Sequence, residues 1–235
     1  MKHVTYRGKV AYRSDTLGER GQEWFTVTSH RNGHRTIRSF VEVFNTGLVR
    51  DVTYTVNGNW QPVDAFVRLS QDDEFMGSGW FRFTDRYAEC ETFTADAGRI
   101  SQRMRLKGLP PSFGPHPVAC DVWHIGAFDM ASEARIQTIK GTLMSSPRPD
   151  GASGPYLSRT VLETGGVSTD EFRIERVGPE TVTVEAGTFE TEHFRFLLGE
   201  ESIPEDIWCL PGDLIIVKVR FDVMSTTYEL VELDR

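Results

Sequence analysis

Glu23-Trp-Phe-Thr-Val-Thr-Ser-His-Arg-Asn-Gly-His-Arg-Thr-Ile-Arg-Ser-Phe-Val-Glu-Val43 is the stretch on which the fold turns. Two β-rich runs, Glu23–Arg31 and His34–Val43, flank Asn32-Gly33. Both central residues of a two-residue hairpin turn take positive φ, which Asn and Gly tolerate best, so the dipeptide predicts a β-hairpin. Pairing about that turn opposes Arg31 to His34 and His30 to Arg35. It sets Phe25, Val27, Arg38 and Phe40 on one face and Trp24, Thr26, Thr28, Ile37 and Val41 on the other. Large apolar groups then occupy both faces, whereas a strand with one solvated face should be polar on that side. The expected cause is a barrel with an apolar interior, its outside packed against a loop, a helix or a second subunit, as in a homodimer.

The same device recurs at Asn57-Gly58, between Asp51–Val56 and Asn59–Arg68. Gly79–Phe83, Ala88–Thr94 and Arg99–Leu106 continue the series. A Pro-rich segment, 108–117, interrupts it. Ala131–Gln137 is a short run of helix formers, Thr138–Met144 reads as strand, and Ser145–Pro155 as loop. The last third returns to strands at Tyr156–Glu163, Glu171–Val177, Thr181–Glu185, Thr188–Leu198, Ile207–Leu210, Leu214–Phe221 and Thr227–Leu233. Gly178-Pro179, Ala186-Gly187 and Pro211-Gly-Asp213 supply turns between them.

About a dozen strands at roughly ten-residue spacing describe an all-β antiparallel meander. Such a sheet exposes its edges unless it curls, which favours a barrel or a strongly curved half-barrel. No linker or composition shift divides the chain, so residues 1–235 form one barrel-like domain with at most one or two short helices.

Composition narrows the function classes. Hydrophobic residues at 39% and 15 phenylalanines are ample for a packed core. A net charge of −8, from 26 basic and 34 acidic residues, argues against a nucleic-acid or anionic-membrane surface. The first ten residues hold no apolar run of signal length, and no window approaches a membrane span. Cys90, Cys120 and Cys209 are odd in number and widely spaced, so a cytoplasmic location is expected. No GxGxxG or P-loop sequence occurs, and the histidines and cysteines lack zinc spacing, so neither a cofactor nor a metal is expected.

Chemistry concentrates in Gly114-Pro-His-Pro-Val-Ala-Cys-Asp-Val-Trp-His124. Prolines on both sides of His116 stiffen the backbone and remove amide donors. If the segment turns helical, Asp121 and His124 become i, i+3 neighbours, and an Asp–His pair is a standard general base. The structural alternative is that Asp121 caps a short helix and His124 is a satisfied core residue. Tyr87, Glu89, Glu91 and Phe93 alternate onto one face of a strand. Facing an apolar lumen, Glu91 and Tyr87 would serve as acids with raised pKa values; facing water, they are a solvated stripe. His30 and His34 straddle a turn on opposite faces, which argues against joint chelation. His193 alternates with Arg195, opposite Phe194 and Phe196, and is expected on the polar outer face.

Val182-Thr-Val-Glu-Ala-Gly-Thr-Phe-Glu-Thr-Glu-His-Phe194, with Asp206-Ile-Trp208 and Thr227-Tyr-Glu-Leu-Val231, resembles a family of uncharacterised bacterial antiparallel β-proteins. The resemblance covers part of the last third. It implies a curved, lipocarrier- or lipocalin-like sheet and brings no activity with it. Members of that family are usually exported.

Two functions are consistent with these residues. One is a cofactor-independent lyase, hydratase or isomerase acting by acid–base catalysis on a small, mostly apolar molecule, aromatic or terpenoid-like. His116, Asp121, His124, Glu91 and Tyr87 would be catalytic, and Trp24, Trp60, Trp80, Phe83 and Trp123 would line the barrel interior. The other is a non-catalytic carrier for a small hydrophobic ligand, in which polar groups only orient the guest.

Overall fold

The computed structural model describes residues 3–146, 155–159, 162–164, 167–169, 171–197 and 204–235. Eight strands open the chain: β1 (Val4–Ser14), β2 (Gly18–Ser29), β3 (Arg35–Val43), β4 (Leu48–Val56), β5 (Pro62–Gln71), β6 (Glu74–Phe83), β7 (Tyr87–Thr94) and β8 (Gly98–Arg105). The chain then leaves the sheet through β9 (Phe113–Gly114), helix α1 (Val118–Asp121) and a 3-10 segment, Val122–Ala127. Short strands follow: β10 (Ile136–Lys140), β11 (Leu143–Ser146), β12 (Tyr156–Ser158), β13 (Leu162–Thr164) and β14 (Val167–Thr169). The last are β15 (Glu171–Val184), β16 (Gly187–Leu197), β17 (Glu205–Leu210), β18 (Ile215–Phe221) and β19 (Thr226–Asp234).

Fourteen strands make one antiparallel sheet in the order β10-β15-β16-β17-β18-β19-β1-β2-β3-β4-β5-β6-β7-β8. The fold is all-β, as the hairpin pattern predicts. Two meanders meet where β19 pairs β1, and β8 and β10 form the sheet's edges. Register shifts at Lys9/Val10, Tyr12/Arg13, Thr55/Val56, Leu69/Ser70 and Trp208/Cys209 mark bulges, which sharpen the twist and bend each strand.

The concave face is not an empty lumen. Trp123 packs on Tyr54 of β4, Phe113 on Phe81 and Phe83 of β6, His124 on Phe172 and Phe196 of β15 and β16, and Phe128 on Phe194. One central segment thus touches both meanders, and the sheet curls around it. Trp123 is only 2% exposed. Truncating such a side chain to alanine costs about 3–5 kcal/mol, so this segment is core and holds the curvature.

Three local expectations need correction. The helix lies at 118–127, directly after Pro117, and not at Ala131–Gln137. In the latter stretch Asp129 Oδ1 accepts from the Ala131 N–H and Ser132 Oγ from the Ala134 N–H, and the Gln137 side chain ties back to Asp129. Side chains there take the donors a helix would use. Gly178-Pro179 does not end a strand; it is a bulge inside β15, whose pairing with β16 resumes on both sides. Most of the Ser145–Pro155 loop lies outside the described residues.

The Asn-Gly hairpins form where expected, with a register one residue different. His30 N–H donates to His34 C=O and Gly33 N–H to His30 C=O, which makes a three-residue loop with Gly33 at φ +83°. Glu23 therefore opposes Val41, Phe25 opposes Ser39 and Val27 opposes Ile37. Ile37 and Val41 join Phe25 and Val27 on the inner face, while Trp24, Thr26, Arg38 and Phe40 point outward. His30 and His34 consequently share a face. At Asn57-Gly58 the same loop recurs, but Trp60 occupies the left-handed position, at φ +63°. A tryptophan there is strained. It is held by Trp123 at 5.6 Å, by the Arg35 guanidinium at 4.2 Å, and by Gly126, where a Cβ would fall 2.3 Å from that of Trp60.

Candidate functional site

Alternation places one set of charged residues on the concave face. Glu23 is in phase with Phe25 and Val27 on β2, Arg50 with Val52 and Tyr54 on β4, and Glu205 with Ile207 and Cys209 on β17. Arg50 and Glu205 stand toward the strand ends where β1 turns into β2 and β18 into β19. Helix α1 delivers Asp121 to the same place. Asp121 feels the charges of Glu205, Glu23 and Arg50, so these side chains share one electrostatic neighbourhood on the concave face. Tyr12 and Tyr228 add an edge-to-face ring pair at 4.6 Å.

Glu23 is fully buried and accepts hydrogen bonds from Tyr12 Oη and Ser39 Oγ, each at 2.8 Å, with the Ala119 N–H at 3.3 Å. Burial raises its pKa while these donors oppose the rise. Near it, Asp121 keeps 28% of its side-chain surface, although its Oδ1 is sealed from water. Burial first, then the nearby Glu205 and Glu23 carboxylates, push its pKa well above the carboxylate range. Asp121 Oδ1 has no hydrogen-bond partner. Burial lifts Glu205 to about 7. Arg50 makes no hydrogen bond or ion pair among the described residues, its Nε is sealed from water and unpartnered, and burial lowers its pKa.

His116 belongs to the same cluster: its backbone bonds Asp121, and the Arg50 charge acts on its ring. It sits at φ +79° between Pro115 and Pro117, a conformation that L-residues adopt only when their surroundings impose it. Burial, then the Arg50 charge, lowers its pKa to about 3, so the imidazole is neutral. His124 is neutral too, held at about 4 by burial. Its Nδ1 lies 2.8 Å from Ser112 Oγ, and its Nε2 stands 4.0 Å from Asp121 Oδ1. The helical i, i+3 spacing brings Asp121 and His124 together, but not into a hydrogen bond. Asp121 does not cap α1: Pro117 precedes the first turn, and no side chain caps it.

The remaining candidates lie elsewhere. Glu91 is exposed on the outer face of β7, bonded to Arg99 and Ser101, and these partners lower its pKa. Tyr87, on the same face, lies under the Arg103 guanidinium at 3.7 Å. Water, not an apolar lumen, faces both. Phe83 and Trp123 are core residues, and Trp60 covers the end of the segment that fills the sheet. Trp24 and Trp80, 42% and 45% exposed, stand on the outer face because the interior is occupied by the chain itself. Trp24 borders an open outer groove of about 820 Å³ with Phe40, Phe66 and Arg38. These five aromatics do not surround one space. Cys120 is buried and its thiol pKa is driven up by burial, which suits a packing residue.

His193 is on the outer face as expected, yet almost fully covered. It stacks on Trp208 at 4.3 Å, with Nε2 2.6 Å from Asp206 and Nδ1 3.2 Å from Glu180. Among the described residues no three His, Cys, Asp or Glu side chains converge as metal ligands, and no helix is long and apolar enough to cross a membrane.

Glu23, Arg50 and Glu205 form this charged cluster with Asp121 and His116, and none of the three stands out as part of a sequence motif. Their signal is phase: each is a charged residue at a position where the strand's alternation calls for an apolar one.

No protein-family model matches the chain, and no curated protein matches it. Among solved structures, it is similar to the beta-barrel-like protein of domain of unknown function DUF1849 from Brucella abortus. Identity is 11%, with 98% of this chain and 97% of that one covered at a TM-score of 0.54. The shared property is the curved β architecture, and the neighbour belongs to an uncharacterised bacterial β family.

Proposed function

We propose that the protein is a cofactor-independent acid–base catalyst, a lyase, hydratase or isomerase, acting on a small molecule with a largely apolar body at the charged cluster beside α1. One observation carries this reading: Asp121 and Glu205, whose carboxyl pKa values burial raises, and Arg50, whose Nε has no partner, share one electrostatic neighbourhood beside α1. Asp121, whose pKa is pushed well above the carboxylate range by burial and neighbouring carboxylates, is suited to give a proton. Glu205, titrating at about 7, is suited to take one near neutral pH. The Arg50 guanidinium stabilises the oxygen on which negative charge develops. His116 and His124, both neutral, position the segment that carries Asp121. A pair of positioned acid and base groups contributes roughly 10²–10⁴-fold each.

The test is hydrogen exchange. Small aromatic and terpenoid hydroxy, keto and unsaturated compounds are incubated with the protein in deuterium oxide and followed by proton NMR. Wild type incorporates deuterium into at least one compound or converts it, and Asp121→Asn and Glu205→Gln do so at about 1% of that rate or less. No exchange across the panel, or exchange that both variants retain, overturns the reading.

A second reading is a carrier for a small hydrophobic ligand, as a lipocarrier-like sheet implies. The exposed aromatic groove of Trp24, Phe40 and Phe66 favours it. A ligand that quenches tryptophan fluorescence in wild type and not in Trp24→Ala, without turnover, supports the carrier. We place the protein in the cytoplasm on its three free, buried cysteines, with neither nucleic acid nor membrane as partner. A homodimer that covers Trp24 and Trp80 would account for their exposure.

A further inference from the structure

We infer that the outer face of β2 to β6 binds a neutral oligosaccharide, its sugar rings stacked on Trp24, Phe40, Phe66 and Trp80. The inference takes up the groove that favours the carrier reading and gives it a different occupant. It is independent of the acid–base reading.

Strand register assembles the surface. Trp24 on β2 opposes Phe40 on β3, and Phe66 on β5 opposes Trp80 on β6. Between the two pairs, Phe40 opposes Asp51, and Arg38 opposes Thr53, which in turn opposes Phe66. Directly opposed residues project from the same face, so rings and polar groups interleave across neighbouring strands. The four rings stay 37–45% exposed, although a solvated face calls for polar residues at such positions. An open groove of about 820 Å³ runs among Trp24, Phe40, Phe66, Arg38, Asp51 and Thr53. Strands about 4.8 Å apart set Trp24 and Trp80 about 19 Å from each other across the sheet, the reach of several linked sugar rings.

The polar part of the groove selects the ligand. A pocket for a purely apolar molecule has mostly apolar walls, whereas guanidinium, carboxylate and hydroxyl groups stand beside these rings. Arg7 and Arg38 share the groove with Asp51, Glu232 and Asp234, which leaves no surplus positive charge for an anion. Two of these acids already have arginine neighbours: Asp51 lies 3.7 Å from Arg68 and Asp234 3.8 Å from Arg7. A single-stranded nucleic acid needs a positively charged groove to follow its backbone. A protein interface is depleted of charge at its core, yet Arg38 and Asp51 stand between the ring pairs. A hydroxyl donates to a carboxylate and accepts from a guanidinium, so a polyol satisfies both without a net charge. A pyranose adds a face of C–H groups that packs on an aromatic ring and leaves the hydroxyls at its edge.

The experiment runs the full chain by native electrophoresis through gels containing hydroxyethylcellulose, glycogen, xylan, laminarin or polygalacturonate. Calorimetry then follows with a hexasaccharide of the retarding glycan. At least one neutral glycan retards wild type, and its hexasaccharide binds at least about 10-fold more tightly than its monosaccharide. Trp24→Ala and Trp80→Ala each lose about 5- to 50-fold in affinity. Trp24→Leu, which keeps apolar bulk without a flat ring, loses a similar amount and serves if the alanine variants do not fold. Phe44→Ala, at an exposed aromatic in the turn after β3, leaves binding unchanged. Retardation by none of the neutral glycans overturns the inference. So does a preference for polygalacturonate, affinity that survives in the tryptophan variants, or loss in Phe44→Ala instead. Nile red bound at Trp24 with no glycan bound overturns it in favour of the hydrophobic carrier. A wild-type dimer that Trp24→Ala converts to monomer, again with no glycan bound, overturns it in favour of a second copy of the chain. Deuterium exchange tests the acid–base reading alone, so the two fail separately.

Discussion

Two clusters of the same chemical composition lie on opposite faces of the sheet. The outer one joins His193, Asp206, Arg195, Glu175, Glu180 and Trp208; the inner one joins His116, Asp121, Glu205, Arg50 and Tyr228 over Glu23. In the outer cluster every charge is answered. Both His193 nitrogens face carboxylates, Arg195 reaches Asp206 and Glu175, and the Trp208 indole N–H donates to Glu180. In the inner cluster Arg50 has no partner and Asp121 Oδ1 no donor. An imidazole beside carboxylates and an arginine is therefore no evidence of function in itself. A network closed on itself holds strands together, whereas one that leaves buried polar atoms unanswered stores a cost that a functional role would explain.

The sharpest way to break this comparison is at Glu23, an inner residue that is fully paired. It should behave like the outer cluster, and more strongly because it is buried. Glu23→Ala strands Tyr12 and Ser39 and opens a void, and should cost about 3–5 kcal/mol in urea unfolding. A loss below about 1 kcal/mol would mean that pairing does not govern these groups.

His124 comes next. Its pKa is near 6.5 unfolded and about 4 folded. The unfolded chain therefore binds more protons between those values, and the stability held above pH 6.5 is lost as pH falls through 4. The difference amounts to about 3 kcal/mol, and His116, lowered to about 3, adds loss in the same direction. His124→Asn should be visibly less acid-sensitive over that window. Parallel wild-type and variant pH profiles would show that the imidazole is not held neutral.

The third test sets the two clusters against each other by sign. Asp206→Ala, which strips His193 and Arg195 of a shared acceptor, should destabilise by about 1–3 kcal/mol. Arg50→Met, which removes an unanswered charge and keeps the length of the side chain, should stabilise by about 1–3 kcal/mol. Midpoints should move in opposite directions at constant urea m-value. The same sign for both would erase the distinction. The smallest effect belongs to Glu91→Gln: a solvated pair with Arg99 should leave melting temperature and any turnover at the wild-type level. Lost activity there would return Glu91 to the catalytic set.

The hairpins were readable because Asn-Gly and period-2 alternation are local properties of adjacent residues. Their register was not, because loop length depends on which residue accepts the left-handed conformation. At Trp60 that residue is chosen by distant Gly126, Trp123 and Arg35. The Pro-stiffened segment with His116, Asp121 and His124 was likewise visible as a concentration of reactive side chains. Its companions were not, since Arg50 and Glu205 sit 71 and 84 residues from Asp121 in a chain of 235.

Sequence by itself therefore determined an all-β antiparallel meander, its hairpin positions and one chemically dense segment, because strand periodicity and turn chemistry are set by neighbours along the chain. Only the tertiary structure decided which face is concave, that the chain's own central segment fills it, and which charges go unanswered there. Those outcomes depend on side chains brought together from β1, β2, β4, β17, β19 and α1 by the curl of the sheet, and whether a charge finds a partner is a property of distance in space rather than of order along the chain.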